Sequence, residues 1–367
     1  MRGVVFLGDR ELEIREFPDP TPGPGEAVIE MKASGMCGSD LHVYRAPRRG
    51  AGAATSLGLE DKGGDKGGDK GGDKGGGKGE PVIAGHEPCG VVVARAPDVP
   101  EAMAPIGARV MDHHYAGCGV CVHCKVGWSQ LCRAGVTVFG VTGHGGHAHY
   151  LKVPARTLVP LPEALTFEEG AAVSCGTGTA YGALRRMGLA GNHTLAVFGQ
   201  GPVGLSATLL GVAMGARVIA LDVSPERLGL AKAFGADAVV DPNETEPVAA
   251  LRDLTRGEGV DLAIECSSAP SARQAAVRSV RTWGTACFVG EGGSVSLDVS
   301  PDLLRRQVTL IGSWTFSSVG QEECARFVAD RKIPLGKLIT HRFRLDQAAE
   351  AYRLFDTQTT GKGVFAF

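Results

Sequence analysis

Four thiols set at Cys118-x-x-Cys121-x-x-Cys124-x7-Cys132 can close a tetrahedron around one soft divalent ion. Zinc suits them. Because four sulfurs leave no open coordination position, that centre is expected to be structural, holding together a lobe with little regular structure of its own. A second donor set is dispersed along the chain: Cys37, the pair His86-Glu87, and Cys175 within Ser174-Cys-Gly-Thr-Gly-Thr179. Two thiolates and an imidazole leave a fourth position open, the pattern of a catalytic zinc. Taken singly, each cysteine reads equally well as a small buried hydrophobe. Cys37 stands in Gly35-Met-Cys-Gly-Ser-Asp-Leu-His42, where a thiol, a hydroxyl, a carboxylate and an imidazole follow one another closely.

A third constellation, Gly199-Gln-Gly201-Pro-Val-Gly204, follows an apolar strand and opens a helix with Pro202 in its first turn. Glycines at this spacing allow a tight turn, close approach to a pyrophosphate and close helix packing, while helix N-terminal N–H groups hold the phosphates. The next strand ends at Asp222, about 20 residues on, where a carboxylate accepts from the ribose hydroxyls of NAD and repels a 2'-phosphate. NAD is therefore expected rather than NADP. Arg227 on the following helix is either a contact to the adenosine end or a solvated charge.

The chain has 367 residues, too many for one ordinary core, and 43% of them are hydrophobic, enough to build two domains. A net charge of -2 offers no basic field for nucleic acid or an anionic membrane, so a small-molecule partner is expected. No apolar run reaches membrane-spanning length and the start lacks a signal-peptide core, which points to the cytoplasm. There, ten cysteines argue for metal or catalysis over disulfides.

The elements that must position these groups show two rhythms. Up to Val153 the pattern is β-rich, with alternation over Gly3 to Phe17, read as one half-buried strand, and over Glu26 to Ala33, leading to a loop at Cys37. From Thr194, apolar β-branched runs at Leu195 to Phe198, Arg217 to Leu221, Ala238 to Val240, Leu262 to Glu265 and Ala286 to Val289 alternate with helical patterns. That alternation implies right-handed βαβ units and a parallel sheet covered on both faces. Two amphipathic helices, Gln321 to Lys332 and Leu345 to Gln358, precede a last strand at Gly363 to Phe367. Between Tyr44 and Pro81 lies a Gly-rich insert, 46–80, with Asp-Lys-Gly-Gly repeated from Asp61 to Gly76, whose composition cannot support a packed core. His144, His147 and His149 read as a polar loop, and Cys89, Cys266, Cys287 and Cys324 as packing residues.

With these motifs in this order, nearly the whole chain outside the insert resembles the zinc-containing medium-chain dehydrogenases of alcohol and polyol dehydrogenase type. The resemblance implies an α/β protein with a GroES-like β-rich catalytic domain and a doubly wound Rossmann domain built on a parallel sheet. The expected division is 1–175 for the catalytic domain, including a zinc lobe at 115–135, then 176–314 for the NAD-binding domain, then 315–367 returning to the catalytic domain. It implies two zinc ions per chain, one on Cys37, His86 and Cys175 with Glu87 beside the metal and able to exchange with water as a ligand. Ser39 and His42 match a hydroxyl and imidazole that carry the substrate proton to solvent, and Thr179 a residue near the nicotinamide. Catalytic roles thus fall on Ser39, His42, Glu87 and Thr179, and cofactor contacts on Gly199, Gly201, Pro202, Val203, Gly204, Asp222, Arg227 and Thr179.

The implied reaction is hydride transfer between NAD and a secondary alcohol, polyol or related hydroxy compound, in a homodimer or homotetramer paired near Gln307 to Gly312. The chain departs from the family's pattern in the long insert, and in a C-terminus, Gly361-Lys-Gly-Val-Phe-Ala-Phe367, that lacks the arginine many relatives place there against the pyrophosphate. A zinc-ribbon-type binding module without catalysis is the competing reading. The second, open donor set and the glycine fingerprint disfavour it.

Overall fold

The computed structural model describes residues 1–48, 82–359 and 361–367, so the Asp-Lys-Gly-Gly repeats and most of the insert lie outside the described residues. Two large sheets organise the rest. The first is six parallel strands in the spatial order Ala238–Val240, Arg217–Leu221, Thr194–Phe198, Val260–Glu265, Val280–Phe288 and Thr309–Gly312. The continuous apolar runs of the inner strands Arg217–Leu221, Thr194–Phe198 and Val260–Glu265 are buried because helices cover both faces. The crossover helices Pro202–Ala213, Pro225–Ala233, Pro247–Leu254 and Pro270–Ser279 each begin with proline, which has no N–H to leave unpaired in a first turn. Ser224 and Glu246 cap two of them by accepting from first-turn N–H groups.

Neighbours of Thr194–Phe198 lead away in opposite directions along the sheet, Arg217–Leu221 on one side and Val260–Glu265 on the other. This reversal opens a crevice at the carboxyl ends of the strands, the place where an open α/β sheet binds a ligand. The glycine fingerprint stands at its lip.

The second sheet runs Ile339–Phe343, Lys362–Ala366, Glu26–Gly35, Glu87–Arg95, Arg109–Asp112 and Leu158–Pro160, with Tyr150–Pro154 also paired to Glu26–Gly35. Its C-terminal strand sits beside the strand leading to Cys37, Val364 opposite Gly35, so the end of the chain returns to the first domain. An apolar cluster including Ala33, Cys89, Met111, Ala171, Leu184, Leu205 and Leu210 joins both sheets. Its bridge is a helical run, Phe167–Ala172, Val173–Thr177 and Gly178–Arg186, whose middle segment is a π-helix. The 175/176 boundary expected from sequence falls inside that run.

Several local expectations are corrected. Gly3 to Phe17 is a hairpin rather than one strand: Arg2–Gly8 and Glu11–Glu16 pair antiparallel across Asp9 and Arg10, both at positive φ (51° and 63°). Alternation is preserved through a tight turn of that kind, so the period alone does not reveal it. Cys37 lies not within a loop but at the N-cap of a helix, Gly38–Arg45. The last helix is regular only over Ala348–Phe355, after a single 3-10 turn at Leu345–Gln347. The histidines do not form a polar loop: His147 is fully buried, and His144 Nδ1 accepts from the Ile83 N–H.

Candidate active site

Each donor of the dispersed set reaches one point by a different device. Cys37 caps the helix Gly38–Arg45, with its N–H donating to Asp40 Oδ2 at 2.9 Å. His86 and Glu87 come from the start of the neighbouring strand, where Glu87 pairs with Gly35. A Cβ on Gly35 would overlap the Glu87 carboxylate, so only glycine there lets the acid turn inward. Cys175 projects from the π-helical segment, an insertion that often marks functional positions in helices.

Donor atoms of Cys37, His86, Glu87 and Cys175 all lie within 4.8 Å of one another, and all four residues are buried. Cys37 Sγ is 3.9 Å from Cys175 Sγ. Two sulfurs at ~2.3 Å from a tetrahedral zinc stand about 3.8 Å apart, so the pair is spaced for one ion. Sharing with Cys175 holds the Cys37 thiol well below its usual range and raises that of Cys175. Burial opposes charge on His86, but Asp40 and Cys37 together push its pKa well above that of a free imidazole. Burial pushes Glu87 up to about 8, against the pull of buried Lys362, which forms an ion pair with it. Lys362 also donates to the Met36 carbonyl at 3.2 Å.

Ser39 Oγ donates to Cys37 Sγ at 3.3 Å and lies 3.2 Å from His86 Nε2. His42, three residues along the same helix and therefore on the same face, is exposed at the cleft rim. The cleft has a volume of about 830 Å³, and its wall runs from Cys37, Ser39, His86 and Cys175 past Thr179 to Gly199, Gly201, Asp222 and Arg227. That is room for a dinucleotide and a small substrate.

At the cofactor end, Gly199 has φ of 86°, outside the range most side chains tolerate. A Cβ on Gly204 would overlap the Gly199 carbonyl oxygen, whereas one on Gly201 would meet nothing within 4 Å. The first and third glycines therefore fix the turn against the helix, and the second leaves open space at the helix N-terminus. Pro202 and Val203 line that space. Asp222 is held by the N–H groups of Gln200 (2.5 Å) and Ser224 (2.9 Å). Arg227 faces the cleft with Nε buried and, among the described residues, without a hydrogen-bond partner, an arrangement open to a ligand oxygen.

The other cluster, Cys118, Cys121, Cys124 and Cys132, also holds its sulfurs within 4.8 Å. Cys121 Sγ stands 3.5 Å from Cys124 and 3.9 Å from Cys132. Backbone N–H groups of Cys124 and Arg133 lower the Cys121 thiol to about 6, favouring the ligating form.

Sequence reasoning overlooked several groups that the fold brings here. Asp40 Oδ1 is 2.9 Å from His86 Nδ1; its position three residues after Cys37 was the available signal. His114, Tyr115, Glu291 and Trp314 line the cleft from distant segments without a local motif. Of the cysteines assigned to packing, Cys89, Cys287 and Cys324 are fully buried, but Cys266 lines the cleft.

Residues 23–163 match the family model for the alcohol dehydrogenase GroES-like domain, and 202–330 that for the zinc-binding dehydrogenase domain. An uncharacterized zinc-type alcohol dehydrogenase-like protein of Escherichia coli is 38% identical over 100% of this chain and 99% of its own. An L-threonine 3-dehydrogenase of Pyrococcus furiosus is 31% identical over 96% of this chain and 94% of its own. Among solved structures, an alcohol dehydrogenase from Thermus sp. ATN1 superposes with a TM-score of 0.84 at 26% identity, covering 100% and 99% of the two chains.

Proposed function

The chain belongs to the zinc-containing medium-chain dehydrogenase family, as a zinc-dependent alcohol oxidoreductase, and on that premise we propose that it uses NAD to oxidise a neutral secondary alcohol or polyol. The observation that carries this reading is that two sulfurs and an imidazole, spaced for one ion, share a cleft with the glycine fingerprint. Two zinc ions per chain fit the two clusters. Bound zinc would supply the acidity that loosens a substrate hydroxyl proton, and bound NAD the hydride acceptor.

The protein's own groups do the rest. Ser39, half-buried beside the metal ligands, takes the proton and hands it towards His42, exposed at the cleft rim. Thr179 lines the passage between metal and fingerprint, where a nicotinamide would lie. N–H groups at the start of Pro202–Ala213 hold the pyrophosphate, and they carry more of that task because the C-terminus lacks the arginine many relatives place there. Asp222 accepts from the ribose hydroxyls. The exposed edge strand Thr309–Gly312, with Leu310 turned outward, suits pairing with a second copy as a homodimer or within a homotetramer. Ten unpaired cysteines suit the cytoplasm.

The neutral-substrate reading rests on charge. Among the described residues, Arg227 and Arg278 are the cations of Lys or Arg type lining the cleft, both on helices of the parallel-sheet domain, while Glu291 lies in the field of Cys37, His42 and His86. Among the described residues, a substrate carboxylate at the metal end would find no guanidinium or ammonium partner. In a panel followed by NADH absorbance, neutral secondary alcohols and sugar alcohols are expected to exceed hydroxy acids in kcat/KM by about tenfold. A hydroxy acid as the best substrate would contradict the proposal. Asp222→Ala is expected to raise the Kd of NAD about tenfold and to improve relative use of NADP, because Arg227 then meets a 2'-phosphate without a competing carboxylate. Unchanged cofactor preference would count against Asp222 as the selector.

A further inference from the structure

Behind the cleft, a chain of buried polar groups leads from His86 into the C-terminal tail. His86 Nδ1 meets Asp40 Oδ1 at 2.9 Å, and the Tyr352 hydroxyl donates to Asp40 Oδ2 at 3.2 Å. His147 Nε2 is 2.7 Å from that hydroxyl, and Ser34 Oγ is 2.8 Å from His147 Nδ1. Ser34, His147 and Tyr352 are fully buried, while Asp40 and His86 are 3% and 4% exposed. Buried groups of this kind are held in place by the bonds they make to one another.

The proton positions follow from donor and acceptor capacity. A carboxylate only accepts, so Tyr352 spends its single O–H on Asp40 and must accept from His147. That places the His147 proton on Nε2. Burial pushes His147 down to about 4, so the ring is neutral at pH 7 and Nδ1 accepts from the Ser34 hydroxyl. At the other end, the Asp40 carboxylate stands 2.9 Å from His86 Nδ1 as an ion pair, which favours a proton on that nitrogen and leaves Nε2 as the ligating atom once a metal is bound.

We propose that Tyr352 and His147 are positioning residues for catalysis: through Asp40 they fix the orientation and tautomer of His86, so the C-terminal helix Ala348–Phe355 governs how firmly the cleft metal is held. The inference rests on the reading of His86 as a metal ligand. Without the tyrosine hydroxyl, Asp40 Oδ2 keeps, among the described residues, the Cys37 N–H (2.9 Å) alone, and the carboxylate is free to turn away from His86.

The test compares holoenzymes of the wild type, Tyr352→Phe, His147→Leu and His147→Gln. Tyr352→Phe keeps the ring in its apolar surroundings, and His147→Gln retains an amide donor near the position of Nε2. The readout is the rate at which a chelator removes each of the two metals, with the four-cysteine metal as internal control, together with the visible spectrum of the cobalt-substituted protein. Tyr352→Phe and His147→Leu should release the cleft metal about tenfold faster with an altered cobalt spectrum, and leave the lobe metal within about twofold of wild type. His147→Gln should restore release to within about twofold. Release within about twofold of wild type in Tyr352→Phe, or equal acceleration at both metals, overturns the proposal. Side-chain 15N shifts of the wild type provide a check that needs no variant: His147 should be neutral and protonated on Nε2, and protonation on Nδ1 overturns it. One metal per wild-type chain would sink the metal-site reading as well; two metals with an unaffected Tyr352→Phe would sink the positioning role alone.

Discussion

Cys37→Ser or His86→Ala is expected to lower kcat/KM by at least about 10³-fold while cofactor affinity stays within about twofold of wild type. Polarisation of substrate by a metal contributes several kcal/mol in the transition state, and about 4 kcal/mol already corresponds to that factor. Both residues sit at the buried end of the cleft. The proposed cofactor groups Gly201, Asp222 and Arg227 lie on the turns and helices of the parallel-sheet domain, and among the described residues none of them is hydrogen-bonded to Cys37 or His86. Loss should therefore be confined to chemistry and substrate positioning. Cofactor titration by fluorescence beside steady-state kinetics checks this, and near-full turnover in either variant would remove the metal assignment.

Gly204→Ala is expected to produce the second largest loss, and two effects compete in it. Alanine favours a helix interior by about 1 kcal/mol over glycine, which alone would stabilise Pro202–Ala213. The added Cβ, however, would overlap the Gly199 carbonyl oxygen. That oxygen belongs to rigid backbone at positive φ, not to a flexible side chain, and overpacking of this kind costs about 1–3 kcal/mol. Sterics win. The helix must move off the strand, and misplacement by about 1 Å is enough to cost about 10²-fold in a positioned site. Thermal melting and NAD binding should both worsen. A variant that melts higher than wild type with unchanged Kd would show that the turn is not built as described.

Much of this architecture was legible because its determinants are local. The four cysteines between Cys118 and Cys132 and the sequence Gly199 to Gly204 carry their meaning in spacing, and the strand–helix alternation after Thr194 gave element positions to within a few residues. What spacing could not show depends on long-range register. Lys362 reaches Glu87 only because Val364 pairs with Gly35 and Gly35 with Glu87 across adjacent strands. Tyr352 meets Asp40 across 312 positions of sequence. The hairpin at Asp9 and Arg10 escaped for another reason: neither residue is glycine or asparagine, the usual signature of positive φ. His147 was misjudged because a histidine beside glycines resembles a loop residue until its buried partners Ser34 and Tyr352 are placed around it.

The two clusters differ in one respect that a metal count exposes. In the assignment proposed above, the four sulfurs of Cys118, Cys121, Cys124 and Cys132 would make a closed site, whereas Cys37, His86 and Cys175 would leave a position to be shared by Glu87, water or substrate. Zinc content per chain, measured on purified wild type and on Cys37→Ser, is therefore the most direct test. The expected result is two zinc ions for wild type and one, retained in the four-cysteine lobe, for the variant. One zinc in both proteins would contradict the assignment of a catalytic metal to the cleft.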